Sequence, residues 1–170
     1  IILKIIQVLG VKGGIGFAYE FNGDTIHRLS MEERMSICNM SIEGGARIGY
    51  INPDQITFDY LQGREFSPQG SSFEKAIQYW KSIASEADAV YDDVVHLSAP
   101  EIQPMVTWGI TPGQSVGILD KLPTPSEHGQ EQVVMEEAYA HMGLRPGNSI
   151  EGTPIQVAFI GSCTNSRISD

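Results

Sequence analysis

The run LSMEERMSICNMSIEGGARIGY, residues 29–50, constrains the fold more than any other stretch, because it carries both a helix start and a helix stop. Ser30 followed by Glu33 is a capping box, in which a hydroxyl and a carboxylate satisfy amides left free at a helix start. Gly44 and Gly45 supply the stop, since glycine enters the left-handed cap without a Cβ penalty. Between them Met31, Met35, Cys38 and Ile42 fall at i, i+4, i+7 and i+11, which predicts a buried stripe. Asn39 and Glu43 are four apart and therefore share a face. The carboxylate stands at the end where a helix dipole disfavours negative charge. Spacing alone leaves two readings open, a solvated polar face and a functional pair, and the solvated face is the simpler.

The flanking segments read as a succession of short elements. IILKIIQVLG predicts an amphipathic helix with Lys4 and Gln7 on its wetter side. VKGGIG then brings Gly10, Gly13, Gly14 and Gly16 together. A P-loop needs Gly-Lys followed by Ser or Thr, and a dinucleotide turn follows a strand and opens a helix. Here the glycines follow a helix and precede the alternating FAYEF, so a tight backbone turn is expected and no phosphate site. NPDQITFDYLQG begins with a Pro-Asp helix start and ends at Gly63. SSFEKAIQYWKSIASEAD offers a second capping box, Ser71 with Glu74. It also places Phe73, Ile77, Trp80 and Ala84 on one side, as in an outer helix packed on a sheet. DDVVHLSA and MVTWG read as strands, TPGQS at 111–115 as a turn, and EQVVMEEAYAHMGL as a helix closing at Gly143. LRPGNSIEGTP, 144–154, has the composition of a linker, and IQVAFIGS reads as a buried strand opening a new unit. Strands alternating with helices argue an α/β layered fold.

Composition narrows the function classes. The net charge is -10 and no arginine or lysine cluster is present, whereas a nucleic-acid surface concentrates positive charge against phosphates. At 170 residues a chain buries roughly 70% of its unfolded surface, so its core needs no metal or disulfide. No apolar run approaches about 20 residues, which argues against a membrane span. The chain opens on Ile without a basic leader, so an internal cut is expected. Two cysteines, Cys38 and Cys163, make no disulfide framework, and a cytoplasmic location is expected. His27, His96, His128 and His141 lack zinc-ligand spacing.

Cys163 stands where AFIGS gives way to TNSRISD. In open α/β sheets functional groups gather where strand ends meet the following helix, and a helix N-terminus favours a thiolate. The nucleophile-elbow pattern G-x-S-x-G with a later histidine fails here, because Asn165 replaces the second glycine and no histidine follows. An iron–sulfur cluster needs three or four thiolates. Cys38 falls in the predicted helix stripe, where burial explains it, and one ligand cannot hold a cluster.

The runs EFNGDTIHRLSMEERMSICNMSIEGGARIGYINPDQITFDYLQGREFSP, VTWGITPGQS and VAFIGSCTNSRISD closely resemble the aconitase superfamily, and within it the bacterial isopropylmalate dehydratases. GSCTNS and CNMxIExGA belong to the superfamily broadly; PDxxTFxYLxGR, the YWK helix and VTWGxxPGQ match the narrower branch. The resemblance covers essentially the whole chain. It implies a layered α/β/α domain, residues 1–154, in the middle of a longer large subunit, followed at 155–170 by the first strand and turn of the next, cluster-binding domain. It implies a [4Fe–4S] cluster held by three cysteines, of which Cys163 matches the first, the other two lying in a CxxC outside this chain. No cluster is then expected on the chain by itself. Asn39 matches the asparagine near the cluster and its bound hydroxyl. Glu43 matches the glutamate that orients an active-site histidine from an upstream domain, so in this chain Glu43 should be solvated or paired elsewhere.

Ser162, Thr164, Asn165 and Ser166 are expected to fix the cysteine turn by local hydrogen bonds. The implied activity is a hydro-lyase of leucine biosynthesis, interconverting 2-isopropylmalate and 3-isopropylmalate through 2-isopropylmaleate. Its partner is a small subunit whose serine takes the abstracted proton, and the chain alone should be inactive. Ile15 departs from the threonine common in the family's GGTG turn. The alternatives are a hydratase of the homoaconitate, citramalate or citrate type, and a cluster-free interaction domain.

Overall fold

The computed structural model describes residues 1–125 and 132–170; Glu131, the expected first residue of the last helix, lies outside them, as does His128. Helix α1, Ile2–Leu9, buries Ile2 and Ile6 and ends where Gly10 takes φ 79°. The glycine turn follows as expected, and one of its amides reaches the next turn: Gly14 N donates to Gly44 O at 2.8 Å. Strand β1, Ala18–Glu20, then pairs in parallel with β2, Ile48–Tyr50, in the register Ala18↔Ile48. Between these strands lie α2, Asp24–Arg28, and α3, Met31–Asn39. Helix α4 is Gln55–Leu61 and α5 is Ser71–Ser82. Strands β3, Met105–Thr107, and β4, Ser115–Gly117, form an antiparallel hairpin closed by the expected turn. Helix α6, Gln132–Met142, stops at Gly143. The α/β class holds, with the sheets reduced to two strands each.

Two apolar clusters support these elements. One gathers Ile2, Ile6, Ile26 and Ile37, with Phe21, Leu29, Met40 and Ile51 packed around them. The other joins the β3–β4 hairpin to α6 through Trp108, Val116, Leu122, Met135, Ala138 and Tyr139. Trp108 stacks on Tyr139 at 4.6 Å between ring centroids, and the Tyr139 hydroxyl donates to Pro123 O at 2.6 Å. Gln7 Nε2 donates to Ser115 O at 2.8 Å and ties α1 to β4.

Several expectations need correction. The Ser30–Glu33 capping box forms, but α3 ends at Asn39 and not at the glycines. Ser41 is buried, and its hydroxyl donates back to Ile37 O at 3.2 Å. The chain then tightens into a 3-10 turn, Ile42–Gly44, with Gly45 left-handed behind it. The buried positions are Arg34, Ile37 and Ser41, while Met31, Met35 and Cys38 are half-buried and Ile42 is 65% exposed. A guanidinium enters this stripe because every face of it is met. Arg34 forms a fork with Asp54 at 2.7 and 2.8 Å and donates to Leu29 O and His27 O. Asp54 also caps α4, accepting from Thr57 N. The hydrogen bonds from Arg34 hold its carboxyl below the usual carboxylate range, outweighing burial.

The second capping box does not form. Gly70 is the cap of α5 and Ser71 is already helical, whereas a capping side chain must stand on a non-helical residue. Phe73, Ile77 and Trp80 do mark the drier side of α5, and Ala84 lies beyond its end. That side meets α4 and not a sheet, with Phe58 and Trp80 stacked at 6.2 Å. DDVVHLSA is no strand: Val94 and Val95 are exposed. IQVAFIGS is neither strand nor buried, with Val157 at 83% and Phe159 at 87% exposure. A strand exists through its ladder, and no described strand pairs with either run. The expected linker is fastened, for Leu122 N donates to Asn148 O and Gly147 N to Leu122 O, each at 2.8 Å.

Strand β2 leaves no room beside Ser41. A Cβ on Gly49 would stand 1.9 Å from Ser41 Oγ and 2.6 Å from Ser41 Cβ. Gly49→Ala is expected to destabilise the chain by about 1–3 kcal/mol in urea unfolding, the usual penalty of overpacking. Adding Ser41→Gly should restore part of the loss. An unchanged midpoint in the single variant would disprove the close approach.

Candidate functional site

Asn39 is the last residue of α3 and its side chain is exposed. Glu43 does not share α3 with it. It lies in the 3-10 turn Ile42–Gly44, half-buried, so the argument from the C-terminal dipole of α3 falls away. The expectation that Glu43 is solvated or paired holds only in part: the residue is half-buried, and its Oε2 is buried and has no hydrogen-bond partner. A buried acceptor left unmade costs about 1–3 kcal/mol. The turn that holds it is backed by Gly44, which is buried and accepts from Gly14 N, and by Ala46 at 0% exposure.

Cys163 is exposed and unpaired at the tip of a self-bonded turn. Ser162 Oγ accepts from Thr164 N and from Asn165 N, each at 3.0 Å. It also donates to Asn165 Oδ1 at 2.8 Å, and Ser166 Oγ accepts from Ser162 N. Each hydroxyl or amide side chain around the cysteine therefore acts within the turn, as expected. Cys38, by contrast, is half-buried on α3, and burial pushes its thiol pKa up despite the nearby Arg34 charge.

The turn rests on α3. Arg167 donates to Glu32 O at 2.9 Å and to Ser36 Oγ at 3.5 Å. Ser36 and Asn39 are three apart and so neighbours on one helix face. The structure thereby brings the Cys163 turn onto the helix face that carries Asn39, with Glu43 on the turn just beyond. Sequence reasoning missed Arg167. Its signal was a lone cation four residues after the cysteine, in a chain with only 11 lysines and arginines against 21 acids.

The donor chemistry can be tested against an iron–sulfur group. Among the described residues no set of three or more His, Cys, Asp or Glu side chains is placed to hold a metal ion. The exposed Cys163 thiol fits one corner of a three-thiolate set and no more. No described helix is long and apolar enough to cross a membrane.

Comparison with known proteins places the sequence in a family. The sequence model of the Aconitase family (aconitate hydratase) matches residues 1–170. The 3-isopropylmalate dehydratase large subunit of Synechococcus sp. (strain JA-3-3Ab) is 63% identical over 100% of this chain and 37% of its own length. The large subunits of Microcystis aeruginosa (strain NIES-843 / IAM M-2473), at 63%, and Synechocystis sp. (strain ATCC 27184 / PCC 6803 / Kazusa), at 60%, are covered over 36% of their length. The chain thus spans little more than a third of these curated relatives.

Proposed function

The chain belongs to the aconitase family, and on that premise we propose that it is part of an isopropylmalate dehydratase large subunit. The assembled protein would be a cytoplasmic hydro-lyase of leucine biosynthesis, interconverting 2-isopropylmalate and 3-isopropylmalate through 2-isopropylmaleate with a small subunit. Residues 1–154 form its middle α/β domain, and 155–170 open the next. That division is supported by the position of both apolar clusters within 1–150, while Ile155, Val157, Phe159 and Ile160 stay exposed and match no core of this chain.

Dehydration requires a proton to leave carbon and a hydroxyl to leave as water, and hydroxide departs poorly without an electrophile. A [4Fe–4S] group, when bound, would supply that Lewis acidity. Cys163 would contribute one thiolate to hold it, on a turn whose shape its neighbours set. Asn39, exposed at the end of α3, offers an amide to the substrate hydroxyl. Glu43 would orient a histidine from elsewhere in the protein by accepting one of its ring N–H groups.

The observation that carries this reading is the buried, partnerless Oε2 of Glu43. A carboxylate oxygen sealed from water asks for a donor, and an imidazole N–H brought by a neighbouring domain is one that fits. The test is to assemble the complete large subunit with its small subunit under anaerobic iron–sulfide reconstitution. Turnover of isopropylmalate, with transient alkene absorbance, is expected. Turnover of homocitrate, citramalate or citrate instead would move the assignment to another branch of the family. Stoichiometric iron on the 170-residue chain alone would contradict the incomplete ligand set.

A further inference from the structure

The hydrogen bonds inside the cysteine turn run only between residues 162 and 166, so they set its shape and not its place. The segment before it, 155–162, is exposed and has no ladder. Placement falls chiefly to one guanidinium, with one hydroxyl beside it. Arg167 Nη2 donates to Glu32 O, 135 positions away, and to Ser36 Oγ. Nη1 donates to Thr164 O at 3.3 Å, the carbonyl of the residue after Cys163. Asp170 grips the same group at 3.0 Å and accepts the Arg167 backbone amide at 2.6 Å. Ser169 Oγ adds a bond to Glu32 Oε1 at 3.1 Å.

We propose that Arg167 is a positioning residue that clamps the Cys163 turn onto α3 and so sets the thiol beside the face carrying Asn39. The proposal rests on Cys163 being a cluster ligand and adds the residue that aims it. Arginine suits the task because its planar fork reaches Thr164 O and Glu32 O with separate nitrogens, which a lysine ammonium cannot reproduce. One weakness is visible: Nε of Arg167 is buried without a partner. Charge-assisted bonds from the two terminal nitrogens to Thr164, Glu32 and Asp170 outweigh one unmade N–H. Ser36 joins the clamp from both sides, accepting from Arg167 and donating to Glu32 O at 3.0 Å.

The experiment uses the complete protein with Arg167→Ala and Arg167→Lys. In the metal-free form, hydrogen exchange at the Thr164 and Asn165 amides should quicken about tenfold in both variants, with exchange in α3 unchanged. In the reconstituted form, iron loss to a chelator should also quicken about tenfold, at the low end of what removing a residue behind a ligand does to metal affinity. Unchanged exchange at 164 and 165 overturns the clamp. Equal loss of protection in α3 also overturns it, for Arg167 would then be a general packing contact. Quicker exchange with unchanged iron loss shows that the turn's place does not matter, and overturns the positioning role. If the unaltered protein takes up no iron, the reading of Cys163 as a ligand fails, and the exchange data alone decide whether Arg167 places the turn.

Discussion

Replacing Asp54 with alanine is expected to lower the unfolding free energy of this chain by about 3–5 kcal/mol, the range for breaking a buried ion pair from one side. The size follows from which partner is left behind. The Arg34 side chain is 3% exposed against 33% for Asp54, so the variant strands a guanidinium charge away from water. The same substitution removes the cap of α4, which adds about 1 kcal/mol. Removing Arg34 instead leaves a carboxylate that water still reaches, so Arg34→Met should cost less than Asp54→Ala. Equal losses in urea unfolding would refute this asymmetry. Acidity tests the same pair. The folded carboxyl titrates below its unfolded value of about 3.9, so its contribution is complete above that pH. It is lost as pH falls through the lower folded value. The unaltered chain should therefore lose stability below about pH 4, and Asp54→Asn should flatten that part of the profile.

Cys163→Ala in the complete protein is expected to abolish iron retention and reduce hydro-lyase activity to background. The same change in this chain should move its stability by no more than about 0.5 kcal/mol, as for an exposed surface substitution, because the thiol is free and exposed. Cys38→Ala should behave in the opposite way. Its thiol is half-buried with a raised pKa, so it packs as a small apolar group, and the variant should keep its iron while losing some stability. Iron content by metal analysis and unfolding by denaturant separate the two cysteines. Iron bound normally by the Cys163 variant would remove this residue from the ligand set, and with it the mechanism drawn around it.

Both predictions concern residues that sequence spacing ranked differently. Counting apolar positions in residues 31–42 selected Met31, Met35, Cys38 and Ile42. The structure buries Arg34, Ile37 and Ser41. An apolar count assigns any arginine to the wet side, and it cannot see the carboxylate 20 positions later that neutralises this one. Glu20 gives a second case. It reads as an ordinary strand carboxylate, yet Tyr50, Ser85 and Asn52 all donate to it. Burial raises its pKa, and the hydrogen bonds from Ser85, Tyr50, Tyr91 and Asn52 outweigh that and hold it low.

The site divides in the same manner. Cys163, Asn39 and Glu43 were singled out through the words around them, and the turn chemistry of Ser162 to Ser166 was legible because its bonds are local. The end of α3 before Glu43, the sealed Oε2 and the anchor at Arg167 were not.

What the amino-acid sequence determined by itself was whatever lies within a few residues of its cause. The Ser30–Glu33 cap, the stop at Gly10, the cap at Asp54, the hairpin turn at 111–115 and the self-bonded cysteine turn all satisfy backbone groups with near neighbours. Tertiary structure decided which helix face is dry, that IQVAFIGS stays unpaired, and that the Cys163 turn lies on α3. Those outcomes depend on partners tens to more than a hundred residues away. Burial, ladder pairing and charge neutralisation are properties of two surfaces that meet, and a spacing rule sees only one of them.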